Sequence, residues 1–196
     1  MVLFARVVAA RGVHFSASMA TTVAPIVLTL ELDSKSQQFF DTLRQQHFPK
    51  ERSFLSAHLT LFHHLPGGSY DDIRTQVAAA AAAEAQLPIA VTGVRFLGRG
   101  VAYTLENQRL RALHKRFQKQ WHEELTSQDR QKLNPHITVQ NKVDEAVARE
   151  LHRELADQFQ PFEATGTGLQ LWAYRGGPWE PLEMFPFLKG GQIVQN

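Results

Sequence analysis

The chain contains no cysteine among its 196 residues. That removes disulfides, thiol nucleophiles and thiolate zinc sites together, and it fits a reducing compartment. No apolar run approaches the ~18–20 residues needed to span a bilayer; VAAAAAAEA (77–85) is too short and reads as helix. An excess of one charge is also missing. Lys and Arg number 21 against 19 Asp and Glu, a net charge of +2, which supplies no long nucleic-acid footprint. A nucleic-acid partner would then be a short end or a nucleotide rather than a duplex. The dinucleotide pattern GxGxxG, the phosphate loop GxxxxGK[ST] and the nucleophile elbow GxSxG are absent, which argues against those three enzyme classes. What remains is a chain with 43% hydrophobic residues, ample for a core.

The first residues differ from the rest. MVLFARVVAARGVHFSASMATT holds Arg6, Arg11 and His14, and no acid precedes Glu31. This composition is compatible with a transit peptide, but the simpler reading is an upstream start with Met19 as the working one. Residues 1–22 are expected to lie outside the fold, 23–190 to form one bilobal domain, and 191–196 to be a tail. A cytoplasmic monomer is expected, with organelle targeting by residues 1–22 as the less favoured alternative.

From residue 25 the pattern becomes regular. PIVLTLEL (25–32) is a buried-strand run, followed by a helix capped at Asp33-Ser34 and a basic loop FPKERSF (48–54). The strand SAHLTLF comes next, then PGGS and a helix opened by Asp71-Asp72, whose charges suit its dipole. Residues 88–98 and 100–106 form a hairpin around Gly98-Arg99-Gly100. A long helix carries an apolar stripe of Leu110, Leu113, Phe117, Trp121 and Leu125. A second basic loop, SQDRQKLNP (127–135), leads to the strand HITVQNKV. Asp144-Glu145 opens another helix, and TGLQLWAY and EPLEMFPF close the chain as strands. Each half thus runs helix, basic loop, strand with His-x-Thr, acid-capped helix and hairpin, an internal duplication whose halves should face each other across a cleft.

The two motifs, HLTL (58–61) and HITV (136–139), carry the chemistry. Alternation along a strand puts His58 and Thr60 on one face, and His136 and Thr138 likewise. Extending it adds Phe62 and His64 to the first face and Gln140 and Lys142 to the second. Two imidazoles can divide base and acid roles near neutral pH; the hydroxyls and an ammonium suit phosphate oxygens. Such a site needs no metal or other cofactor and predicts a bell-shaped pH profile.

HLTL and HITV in a duplicated α+β chain resemble the paired motifs of the 2H phosphoesterase superfamily, and within it the 2′-5′ RNA ligase-like branch. The resemblance covers residues 25–187, and GGPWE (176–180) followed by FPF is similar to the tail of that branch. It implies a bilobal, pseudo-twofold fold with two antiparallel sheets lining a central cleft and helices outside. It further implies a nucleotide or RNA terminus bearing a 2′,3′-cyclic phosphate or a 2′,5′ linkage as substrate, His58 and His136 as the acid–base pair, Thr60 and Thr138 as phosphate contacts, and a 2′-phosphate product. Where many relatives have a basic residue three positions after the second motif's Thr, this chain has Asn141, with Lys142 as the substitute.

A single His-x-Thr on a strand is more often structural than catalytic; the matched pair reverses that balance. His63 and His64 fit no metal spacing and read as loop residues, and His114 and His122 as helix surface. Arg130 and Lys132 precede the second motif as Lys50 and Arg52 precede the first; they either guide a phosphodiester or are solvated charge. Trp172 and Tyr174 are more simply core than base-stacking residues, with Phe62 the better stacking candidate. The main reading is a metal-independent cyclic phosphodiesterase, with 2′,5′ ligation as its reverse. The rivals are a non-catalytic nucleotide-binding module using the same cleft and a histidine-dependent metallohydrolase.

Overall fold

The computed structural model describes residues 24–189; the expectations for residues 1–22 and 191–196 lie outside the described residues. The elements follow the order β1 (Ile26–Leu32), α1 (Ser34–His47), β2 (Leu59–Leu65), α2 (Tyr70–Ala82), β3 (Leu87–Phe96), β4 (Val101–Glu106), α3 (Gln108–Gln120), β5 (His136–Gln140), α4 (Glu145–Asp157), β6 (Phe162–Ala173) and β7 (Glu180–Pro186). Local chemistry accounts for the helix starts. Asp33 caps α1 by accepting the Ser36 N–H (3.0 Å), and Asn107 caps α3 by accepting the Leu110 N–H (2.7 Å). Each satisfies an amide that the first helical turn leaves without a partner.

The strands form one antiparallel sheet in the order β2-β1-β6-β3-β4-β5, with β7 paired to β6. Read as two units, β1-α1-β2-α2-β3 and β4-α3-β5-α4-β6, that order is unchanged when the units are exchanged. This is the pseudo-twofold duplication expected from the sequence. The two sheets expected as separate are the two arms of this continuous sheet, joined where Leu87–Val91 of β3 pairs with Phe162–Gly166 of β6. The sheet curls until its outer strands, β2 and β5, adjoin one another. Helices and strands share one core, which includes Leu28 and Leu30 of β1, Leu59 and Leu61 of β2, Leu110, Leu113 and Phe117 of α3, and Ile137 and Val139 of β5.

The helices cross between the arms. The α1 helix of the first unit packs on β5 of the second. In return α3 packs on β2, where the His114 ring stacks on Phe62 (4.5 Å between centroids, 17°).

Both motif strands carry a bulge at the same place. Thr60 and Phe62 pair with adjacent residues of β1, Thr29 and Leu28, so Leu61 is the extra residue. Thr138 and Gln140 pair with the adjacent Ala102 and Val101, so Val139 is the extra one. A bulge turns every later side chain to the opposite face. The hairpin between β3 and β4 fits closely over the second bulge. A Cβ on Gly100 would lie 2.1 Å from the Gln140 carbonyl oxygen, so no larger residue can stand there without displacing β5.

Candidate active site

His58 immediately precedes β2, and His136 is the first residue of β5. The two side chains are held in the same way. Nδ1 of His58 lies 2.8 Å from the Ser56 carbonyl, and Nδ1 of His136 lies 2.8 Å from the Asn134 carbonyl. A carbonyl only accepts, so each Nδ1 carries the proton. In the neutral ring Nε2 is then the basic nitrogen, and in both cases it is free for chemistry.

The segments leading into the two histidines are clamped by the crossing helices. On α1, Gln37 Nε2 donates to the Ala57 carbonyl (2.8 Å), Asp41 accepts the Ala57 N–H (2.6 Å), and Arg44 Nε donates to the Leu55 carbonyl (2.9 Å). On α3, Arg111 donates to the Leu133 carbonyl, and Gln118 Nε2 donates to the carbonyls of Asp129 (2.8 Å) and Gln131 (2.7 Å). Residues at i, i+4 and i+7 share one helical face, so each clamp is a single polar stripe. Arg44 also links the halves: it is buried, and its Nη1 donates to the Thr138 carbonyl at 2.9 Å.

Removal from water lowers the His58 pKa to about 4, against a hydrogen bond to Ser56 that favours the charged form; the positive charges of Arg44, His63 and His136 lower it further. His58 is therefore neutral at physiological pH. The two motif strands lie side by side, with Arg44 spanning from the Leu55 carbonyl to the Thr138 carbonyl.

A cavity of about 370 Å³ opens beside His58. Its walls include Trp172, Trp179 and Phe54, with Thr29, Glu31 and Gln37 as polar lining. The Trp179 ring is 4.7 Å from the His58 ring and 6.2 Å from Trp172. Trp172 Nε1 donates to the Thr29 hydroxyl (2.8 Å), which fixes that indole at the cavity wall. Burial raises the Glu31 carboxyl above its ordinary pKa.

Thr60 and Thr138 lie two residues beyond the histidines, partly exposed, in the unbulged part of each motif. Three other candidates are placed differently from the sequence expectation. Phe62 is fully buried, against His114, Phe117 and Trp121, because the bulge at Leu61 turns it to the core; it can stack no base. The same device buries Gln140. Lys142 is exposed in a left-handed turn (φ 62°) beyond the end of β5, where strand alternation no longer applies. Arg130 is exposed and lines a groove along α3, not the cavity beside His58.

Three other histidines and one tryptophan depart from the sequence expectation. His63 and His64 are in β2 rather than a loop, and their backbone N–H groups donate to Asp129 (2.8 and 2.9 Å). Burial pushes the Asp129 carboxyl up, but these bonds and His63 outweigh it and hold the group below its usual range. His114 is buried, not surface, with Nε2 3.1 Å from the Leu61 carbonyl. Trp172 lines the cavity although spacing favoured a core role, while Tyr174 is exposed. Trp179, Phe54 and Arg44 had no assigned role. Trp179 and Phe54 lie in irregular segments without periodicity, and the Arg44 partner is 94 residues away.

A curled antiparallel sheet with a His-x-Thr sequence at each outer strand is the fold of the 2H phosphoesterases. The chain belongs to the 2′-5′ RNA ligase superfamily, whose family model matches residues 32–178. Solved structures share the fold at low identity. TT0787 of Thermus thermophilus aligns with a TM-score of 0.58 at 16% identity, over 83% of this chain and 97% of that one. Escherichia coli LigT complexed with 3′-AMP aligns at 0.56 and 19%, over 84% and 98%. A search of curated proteins finds no match. Among the described residues no helix is long and apolar enough to cross a membrane.

Proposed function

We propose that this protein hydrolyses 2′,3′-cyclic phosphates of RNA ends or nucleotides to 2′-phosphates, with 2′,5′ ligation as the same displacement when a 5′-hydroxyl takes the place of water. The observation that carries this reading is the matched pair of imidazoles, each fixed through Nδ1 so that Nε2 faces the chemistry. Neutral His58 is the base. It takes a proton from water as the water oxygen bonds to phosphorus; the bond from phosphorus to the ribose 3′ oxygen breaks, and His136 gives that oxygen its proton. Thr60 and Thr138 donate hydrogen bonds to the non-bridging oxygens, and the tryptophan-walled cavity beside His58 takes the base. Such stacking stabilises by about 1–3 kcal/mol per base. LigT is known in complexes with 3′-AMP, NADP+ and phosphate, which supports a nucleotide occupant for the shared fold.

The test is hydrolysis of the four 2′,3′-cyclic nucleotides and of a short RNA with a cyclic-phosphate end, in the presence of EDTA, with the product isomer resolved. Turnover insensitive to the chelator and yielding 2′-phosphates is expected. Activity that disappears with chelation would favour a metallohydrolase. Nucleotide binding with no turnover would favour the non-catalytic module.

A further inference from the structure

Two concavities of about 640 and 390 Å³ adjoin along α3 and share Lys115, Gln118 and Arg130 in their linings. Together they collect six cations: Arg111, Lys115, Arg116 and Lys119 from α3, and Arg130 and Lys132 from the loop before β5. No acidic residue lines either one. Among the described residues none of the six pairs with a carboxylate. The acid within that loop, Asp129, is buried and committed to β2. Positive charge concentrated on one face and left without carboxylate partners is the footprint of a polyanion. Arg111, Lys115 and Lys119 follow at i, i+4 and i+8, giving a row about 12 Å long on one side of the helix.

The groove is connected to the histidine site. The loop that supplies Arg130 and Lys132 crosses the outer edge of β2, where Asp129 ties it to His63 and His64, and then runs directly into His136. His63 is exposed, follows His58 along the same chain segment in β2, and has its Nδ1 3.3 Å from Asp129 of the loop. A strand whose end occupies the cleft can leave over this edge and meet the groove.

Resting on the phosphodiesterase reading, we infer that the α3 groove binds the phosphate backbone of single-stranded RNA upstream of the reacting 3′ end. The substrate class is then an RNA terminus, with cyclic mononucleotides served only by the cleft. The groove reads charge and carries no base specificity.

The experiment measures binding of a fluorescent oligouridylate of about a dozen nucleotides to the full chain over a range of salt. The wild type is compared with Lys115→Gln/Arg116→Gln/Lys119→Gln. The variant is expected to bind about tenfold more weakly, with its log–log salt slope reduced by about 2, since each cation lost removes about 0.7 on a single strand. Hydrolysis of a cyclic mononucleotide by the same variant should be unchanged. Equal oligouridylate affinity and slope in the two proteins would overturn the groove. Binding is read without turnover, so an inert wild type would refute the phosphodiesterase reading and leave this test decisive.

Discussion

Lowering the pH below 6.5 should destabilise this protein through His114. The ring is buried between Phe62 and the backbone of β2, and desolvation lowers its pKa from 6.5 to about 4, against the favourable Leu61 bond and the Asp129 charge, with His63 adding to the fall. The sign follows from proton binding. Between these two values the unfolded chain binds a proton that the folded chain refuses, so stability is complete above pH 6.5 and is lost as pH falls toward 4. At pH 5 the unfolded ring is almost fully charged and the folded ring is not, a difference of about 2 kcal/mol relative to pH 7. His58 has the same depressed value and adds up to about as much, so the wild type should lose about 4 kcal/mol over this interval. Asp129 faces both His63 and His114, but its lowered pKa places its own loss below pH 4. Urea denaturation of the wild type and His114→Phe at pH 5 and pH 7 measures the difference. The variant should start less stable and lose only about 2 kcal/mol. An equal pH-dependent loss in both proteins would refute the account of His114 as a buried neutral ring.

The pH dependence of kcat/KM should place the acid limb near pH 4 rather than 6.5, because His58 must be neutral to act as base; stopped assays shorter than the unfolding time check it. Thr60→Val and Thr138→Val should each lower kcat/KM by roughly 10–100-fold, the value of a hydrogen bond to a charged oxygen, without loss of fold by circular dichroism. Trp179→Ala should raise KM for cyclic nucleotides by about tenfold or more, and Trp179→Phe should recover most of it, if this ring stacks the base beside His58.

The duplication was legible because each unit repeats one chemical order, and the stripe of Leu110, Leu113, Phe117, Trp121 and Leu125 is buried as its spacing requires. The shared face of His58 with Thr60, and of His136 with Thr138, was legible because alternation holds over three residues. It fails at the fourth, where Leu61 and Val139 form bulges that no local signal announces. Phe62, Gln140 and Lys142 were misplaced for that reason and by the end of β5. His114 occupies the apolar stripe, four residues after Leu110 and three before Phe117, yet its polar type disguised a core position. Arg44 and Trp179 depend on contacts made across the fold. A near-zero net charge likewise conceals the groove, since charge summed along a chain does not report charge gathered on one face.

In the proposed reaction His58 and His136 act together on one phosphate. The most direct test is the rate of 2′,3′-cyclic nucleotide hydrolysis by His58→Ala, His136→Ala and the double variant. Each single change should cost roughly 10²–10⁴-fold, and the double variant should be hardly slower than the worse single one, because residues acting as a unit are strongly non-additive. Independent, multiplying losses would contradict a shared step. Full activity in either single variant would remove the paired motifs from the chemistry.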